Sequence, residues 1–366
     1  MRQRILAHSV LFRPGMNSRE RMLAAINHQP VDRIPTDIWA TTEVWQKLRA
    51  HFGAGVDLRE VLHLDSFGNV GAQYIGPTLP ETAEGQAADF WGMRRRAVDY
   101  GTGTYWEQCF FPLASARTVD DLERYPWPSA DWFDYSEMKA AAHAQHDTHL
   151  VKCGYMAIFY YHNLLRGLEP SLMDPYDNPE FTHHLLGRIS DFFYDHHRRM
   201  FEACEGLIDV TEVTDDLGSQ TGPLIGLDTF REFYKPHMMR FADLCRESGV
   251  RIFHHDDGAM RAFIPDLLDV GIDILNPVQH LCPGMEMTAL KRDYGDRLCF
   301  HGAIDNQQLL PFGTQDQVRA AVREAIDALA FDGTGYILAP CHNLQAVTPV
   351  ENILAMYDEA WRYGVR

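Results

Sequence analysis

The chain has 366 residues, roughly two ordinary domain lengths, although barrel enzymes commonly run past about 250 residues as one unit. Lys and Arg number 33 against 51 Asp and Glu, and the formal net charge of −18 argues against nucleic acid and other phosphate-rich partners. With 46% hydrophobic and 23% charged residues, the composition excludes disordered and fibrous classes.

The seven cysteines stand singly, without a CxxC pair and in odd number, which fits reduced thiols and a cytoplasmic setting better than a disulfide framework. No window approaches about 18 uninterrupted apolar residues, so neither a membrane span nor a membrane partner is expected. Residues 1–15 carry positive charges and a broken apolar stretch but no signal-peptide pattern, and they are read as a tail from an upstream start. Residues 16–366 are expected to form a single barrel domain. Met16 opens that span, and Asn17 with Glu20 three residues on has the form of a helix N-cap with its reciprocal partner.

Beyond Pro30 short β-rich runs alternate with longer helical ones, the pattern of an α/β unit with a parallel sheet. Strands are expected at Arg33–Trp39, Leu150–Tyr155, Leu207–Glu212, Val250–His255, Ile272–Asn276, Arg297–His301 and Gly335–Ala339, with one more between Val56 and Gly76. Residues 86–113 break the rhythm, because two β-rich runs flank Gly101-Thr-Gly103, as in a hairpin flap. Residues 117–148, polar and helical at their end, are expected to cover one end of the barrel. Thr314 with Gln317 predicts a capped helix, and Thr348-Pro349-Val350-Glu351 predicts another with Thr348 at the N-cap. The fold class is α/β, a TIM-like (β/α)8 barrel with an inserted β-hairpin flap.

Ionisable residues collect just after the predicted strands, the edge that carries the active site in a parallel barrel. Five clusters stand out: Glu212 to Asp216, His254 to Gly258, Asn276 to Gln279, His301 to Asp305, and Pro340 to Asn343. In the second, His255 and Asp257 lie two apart and can share one side of an extended chain. Such a pair suits a divalent metal of borderline hardness, zinc foremost, once a third ligand arrives from another strand end. Taken locally, His254 and His255 can equally pack, and Asp256 or Asp257 can cap the next helix. Glu212 and Asp216 can act as acid, base or ligand, although one carboxylate of the Asp215-Asp216 pair suits a cap. Asn276 and Gln279 can orient a substrate carbonyl or hydroxyl, or hydrogen-bond loop backbone. Asp305 can bind substrate or cap a helix, and Tyr155 can face a flat substrate or pack. The P-loop, GxGxxG and HExxH motifs are absent, as is the spacing of a nucleophile elbow.

Taken together, several of these stretches resemble the uroporphyrinogen decarboxylase superfamily. They are Ser18 to Pro35, Asp215-Asp-Leu-Gly-Ser-Gln, Phe253-His-His-Asp-Asp-Gly, Gly302-Ala-Ile-Asp-Asn-Gln and Leu310-Pro-Phe-Gly-Thr, with Tyr336 to Tyr357 closing the pattern. The likeness is to the methyltransferase-like branch, because Pro35-Thr-Asp-Ile-Trp-Ala-Thr-Thr stands where the true decarboxylases carry an arginine-rich loop for substrate carboxylates. In the corrinoid-linked members the resemblance implies zinc on a His-x-Cys pair plus a distant Cys. His255 takes the histidine place, Asp257 the first cysteine place, and His342 the second, with Cys341 one residue off. That exchange makes a stronger Lewis acid, suited to a hydroxyl or ether oxygen. What the resemblance implies is methyl transfer from a small O- or N-methylated compound to a corrinoid protein. In that scheme His255, Asp257 and His342 hold zinc, Glu212 or Asp216 handles the proton, and Tyr155, Asn276, Gln279 and Asp305 bind substrate. A metal-assisted decarboxylase or lyase of a small organic acid, needing no corrinoid, is the alternative, and homodimerisation is left open.

Overall fold

The computed structural model describes residues 15–365, so the expected tail over residues 1–15 lies outside the described residues except for Gly15. Twelve strands among the described residues are named in chain order: β1 Gly68–Val70, β2 Gln73–Tyr74, β3 Gln86–Ala88, β4 Arg94–Asp99, β5 Thr104–Phe110, β6 Phe133–Asp134, β7 Val151–Met156, β8 Val210–Thr214, β9 Arg251–His255, β10 Ile274–Asn276, β11 Cys299–Ile304 and β12 Tyr336–Pro340. Seven pair in parallel in the order β1-β7-β8-β9-β10-β11-β12. Every residue of β11 and β12 is buried, the signature of parallel strands covered on both faces.

The eighth stave is the segment Arg33–Trp39. On one side Asp37 N–H donates to Leu338 O, and Leu338 N–H to Pro35 O, each at 2.9 Å; on the other, Asp65 N–H donates to Thr36 O at 2.8 Å. Pro35 has no N–H, so the segment makes isolated bridges instead of a full ladder. The strand expected between Val56 and Gly76 is β1, and the fold is the TIM-like α/β barrel. The run expected over Leu207–Glu212 starts later, at Val210, because Leu207 closes the turn after the helix Pro179–Cys204 by donating to Cys204 O.

The flap has three strands and not two: β4 and β5 form the expected hairpin around Gly101, whose φ of 81° suits glycine, and β3 adds to the free edge of β4. Its tip leans on the helix Thr42–Phe52, where Thr104 N–H meets Glu43 Oε1 at 3.4 Å. Both expected capping boxes form, Asn17 with Glu20 and Thr314 with Gln317. The last helix, Val350–Tyr363, begins one residue later than expected, with Pro349 extended at the N-cap and the Thr348 hydroxyl buried without a partner. Within residues 117–148 the helix Met138–His146 packs on the flank of β1 and β7, where a crossover helix belongs, and does not cover a barrel end. No described helix is long and apolar enough to cross a membrane.

Candidate metal centre at the barrel mouth

Pleat alternation turns Phe253 and His255 of β9 into the barrel, where Trp39 packs against both, and turns His254 towards the helices. Just past the strand, Asp257 is set by a tight contact between two loops. Gly258 has φ of 85°, and a Cβ there would collide with the carbonyl of Ser219, so only glycine lets the loop after β9 press on the loop after β8. His342 follows β12. One donor atom each from His255, Asp257 and His342 lies within 4.8 Å of the others. His342 Nε2 is 3.9 Å from Asp257 Oδ2, and the two imidazole rings are 5.3 Å apart.

A chain of hydrogen bonds runs behind this group. His255 Nδ1 lies 2.6 Å from Asn276 Oδ1, Asn276 Nδ2 lies 2.7 Å from His301 Nδ1, and His301 Nε2 lies 3.1 Å from Asp37 Oδ2. All four side chains are buried. Asn276, expected to bind substrate, therefore has its amide committed at both ends to histidines.

Electrostatics differ across the group. Burial opposes charge on His255, yet the carboxylates of Asp257, Asp216 and Glu212 and the Asn276 hydrogen bond outweigh it and raise its pKa. Burial, with the like charge of Asp216, raises Asp257 against the pull of both histidines. Burial and the neighbouring His255 keep His342 lowered, hence neutral and free to ligate. Asp216 takes a left-handed backbone (φ 53°) that turns its half-exposed side chain to within 3.7 Å of His255 Nε2.

Glu212 is not the proton carrier expected. Its Oε2 pairs with Lys152 Nζ at 2.8 Å and its Oε1 accepts from Thr214 Oγ1 at 2.6 Å. Burial opposes its charge, but Lys152, His255 and these bonds lower its pKa and hold it as a fixed anion. Asp215 caps the helix Phe159–Arg166, accepting from the N–H groups of Ile158, Phe159 and Tyr160. Its second oxygen is buried without a partner, and burial pushes the carboxyl up to about 8. Asp305 is likewise a cap, both of its oxygens accepting from the N–H groups of Gln307, Gln308 and Leu309. The Tyr155 hydroxyl bonds to that of Tyr161 at 2.6 Å and its ring lies near Phe193, while the side chain stays partly exposed. Gln279 does line the mouth, accepting from Gly258 N–H at 2.8 Å. The Cys341 thiol points at Val278 O, 3.3 Å away, and burial raises its pKa, so the histidine of the Cys341-His342 pair is the one beside Asp257.

Beside Asp257 and His342 opens a cleft of about 420 Å³, also walled by Gln279, Gln220, Gln307 and Phe312. Two imidazoles and a carboxylate make a donor set for a divalent cation of zinc type. Asp257, Asp216 and Glu212 gather three carboxyl groups about the Lys152 ammonium and the His255 imidazole, surroundings that favour a cation at the mouth. Sequence reasoning missed Lys152, Trp39 and Asp37 as site residues. Asp37 and Trp39 alternate inward on a stave followed by polar residues, which was the available signal.

Residues 160–363 match the family model described as Uroporphyrinogen decarboxylase (URO-D), and the chain belongs to that family. Among solved structures, a methyltransferase from Methanosarcina mazei shares the fold, with a TM-score of 0.67 and 19% identity over 95% of this chain and 99% of that one. A D-psicose 3-epimerase from Clostridium cellulolyticum H10 superposes with a TM-score of 0.38 and 12% identity over 66% of this chain and 86% of that one. No curated protein matches the sequence.

Proposed function

We propose that the chain is a metal-dependent methyltransferase that takes a methyl group from a small O- or N-methylated compound, with a corrinoid on a separate protein as acceptor. The observation that carries this reading is the convergence of His255, Asp257 and His342 at the strand ends of a uroporphyrinogen decarboxylase-family barrel. The methyltransferase of Methanosarcina mazei, alike in fold, supports it. Zinc is the cation the donor set suits, and when bound it supplies Lewis acidity towards the heteroatom that loses its methyl group.

The chain's own residues account for the remaining tasks. As the carbon–heteroatom bond breaks, the heteroatom keeps the electron pair and takes a proton from solvent, which half-exposed Asp216 is placed to relay. Glu212, tied to Lys152, balances charge at the floor. Trp39 and Phe253 exclude water beneath the triad, and Gln279, which accepts from Gly258 N–H and donates to Gln220 Oε1, leaves the Gln220 Nε2 as the amide donor for the substrate's polar atoms. The seven unpaired cysteines suit a reducing compartment, so we infer a cytoplasmic setting.

Elemental analysis of the purified protein and of His342→Ala, followed by incubation with methylated compounds and a reduced corrinoid, tests the proposal. Stoichiometric zinc that falls in the variant, with methylcobalamin appearing in the absorbance spectrum, is the expected result. Metal-free protein and no methylcobalamin across a broad panel would overturn it. Loss of CO2 from an organic acid without corrinoid would establish the lyase reading instead.

A further inference from the structure

The hydrogen-bond chain behind His255 has a direction, and the donor inventory sets it. Asp37 stands at one end, and an ionised carboxylate can only accept. Burial opposes its charge, but hydrogen bonds from His301, Ser66 and the Ile38 N–H lower its pKa and keep it an acceptor. His301 must then carry a proton on Nε2, 3.1 Å from Asp37 Oδ2, and because Asn276 Nδ2, which can only donate, faces its Nδ1, that atom holds a lone pair. That lone pair accepts from Asn276 Nδ2 at 2.7 Å, which orients the amide. Asn276 Oδ1 is left facing His255 Nδ1 at 2.6 Å, where it can only accept, so His255 holds its proton on Nδ1. The lone pair of neutral His255 lies on Nε2, the atom nearest Asp216 on the mouth side.

We propose that Asp37, His301 and Asn276 form a positioning relay that fixes the tautomer of His255 and thereby presents its Nε2 lone pair to a divalent cation. The inference rests on the metal reading above for its consequence, but not for the tautomer itself. The relay draws on four staves, Arg33–Trp39, β11, β10 and β9, passing across the barrel interior over β12, which lies between the first two, and Trp39 and Phe253 cover it with their rings. Its two outer members, Asp37 and His301, lie behind Asn276 and act only through it. Partners that orient a metal-bound histidine in this way are typically worth about 10- to 100-fold in metal affinity.

The test has two arms. In metal-free protein labelled with 15N-histidine, at a pH where the ring is neutral, the His255 resonance, assigned by its loss in His255→Gln, should show the proton on Nδ1. A proton on Nε2 in the wild type overturns the relay. In the second arm Zn2+ affinity is measured by calorimetry and Co2+ binding by its visible spectrum. Asp37→Leu leaves the His301 Nε2–H without an acceptor, so the chain should reverse, the His255 proton should move to Nε2, and affinity should fall about 10- to 100-fold. Adding Asn276→Asp supplies a carboxylate directly to His255 Nδ1 and should restore both tautomer and affinity. An affinity loss with the Nδ1 proton retained would reduce Asp37 to a distant charge and end the proposal, as would failure of the double variant to recover. If Asp37→Leu does not fold, the wild-type tautomer and single Asn276→Asp, expected to keep the Nδ1 proton, still decide. Wild-type protein with the Nδ1 tautomer but no affinity for either cation would defeat the metal reading and leave the relay standing.

Discussion

Replacing Lys152 with Met should destabilise the protein through the group left behind. Lys152 Nζ is 2.8 Å from Glu212 Oε2, and both side chains are largely buried, 14% and 15% exposed. The ammonium also sits 5.2 to 5.6 Å from the ring centres of Phe253, Trp39 and Phe67, a three-sided aromatic box that favours a cation. Methionine keeps most of the stem's packing but removes the charge, so Glu212 becomes an anion with only the Thr214 hydroxyl bonded to it. Breaking a buried pair from one side costs about 3–5 kcal/mol, most of it the uncompensated charge. We expect a loss near the lower end, about 3 kcal/mol, because His255 offers Glu212 some compensation. Urea unfolding at neutral pH measures it. The pair should also show strong coupling: Lys152→Met with Glu212→Gln should recover most of the loss, since a neutral amide needs no counter-charge. A single variant within about 1 kcal/mol of wild type, or a double variant no more stable than Lys152→Met, would refute the argument, because the pair would then behave as solvent-screened.

Gly258→Ala should cost more than about 2 kcal/mol, since it combines a left-handed backbone with a collision against the Ser219 carbonyl, and weaker Zn2+ binding should accompany the shift in urea midpoint. Asp305→Ala should cost about 1–2 kcal/mol by removing a three-bond cap, while leaving metal content unchanged, which elemental analysis checks. Acid should weaken the fold through the long helix Pro179–Cys204, where burial holds His196 and His197 neutral, down to about 4 and about 3. The unfolded chain takes up these protons near the ordinary histidine value, so the contribution is complete above about pH 6.5 and drains away as the pH falls towards 4. Each histidine adds a slope of about 1.4 kcal/mol per pH unit within that window. Urea midpoints at pH 7 and 5.5 should differ more in wild type than in His197→Gln, and equal differences would refute the assignment.

Much of the barrel was legible because its inner strands are short apolar runs with no competing reading, as β11 and β12 illustrate. The boundaries that slipped did so where the backbone found other partners, as at Leu207, whose apolar side chain extends the β pattern while its N–H closes a helix end. The third flap strand was missed because Gln86–Ala88 has no β-branched or aromatic residue and is held by the edge of β4 alone. At the site, spacing brought out His255 and Asp257, and matching to the family pattern brought out His342, all three of which the fold brings together. The cap at Asp305 was one of the two roles its position offered, since its partners lie two to four residues on, whereas the double commitment of Asn276 depends on contacts between residues far apart in sequence and leaves no mark in the local pattern.

The segment Pro35 to Thr42 links the family resemblance to the chemistry of the mouth. It stands where arginines would be expected for gripping substrate carboxylates, and the guanidinium anchor for a polycarboxylate is absent with them. The same stave supplies Asp37, whose carboxylate ends the chain of hydrogen bonds to His255, and Trp39, whose ring lies 5.3 Å from His255 and 6.2 Å from His342. One stretch of chain thus carries no arginine and walls the triad with an indole. An indole face and glutamine amides reward a compact substrate with an apolar group and few charges. The carboxylates already at the mouth act in the same direction, because an anionic substrate would meet Asp216 and Asp257 before it met any free cation of the chain at the triad. Both effects agree with the small methylated substrate proposed above.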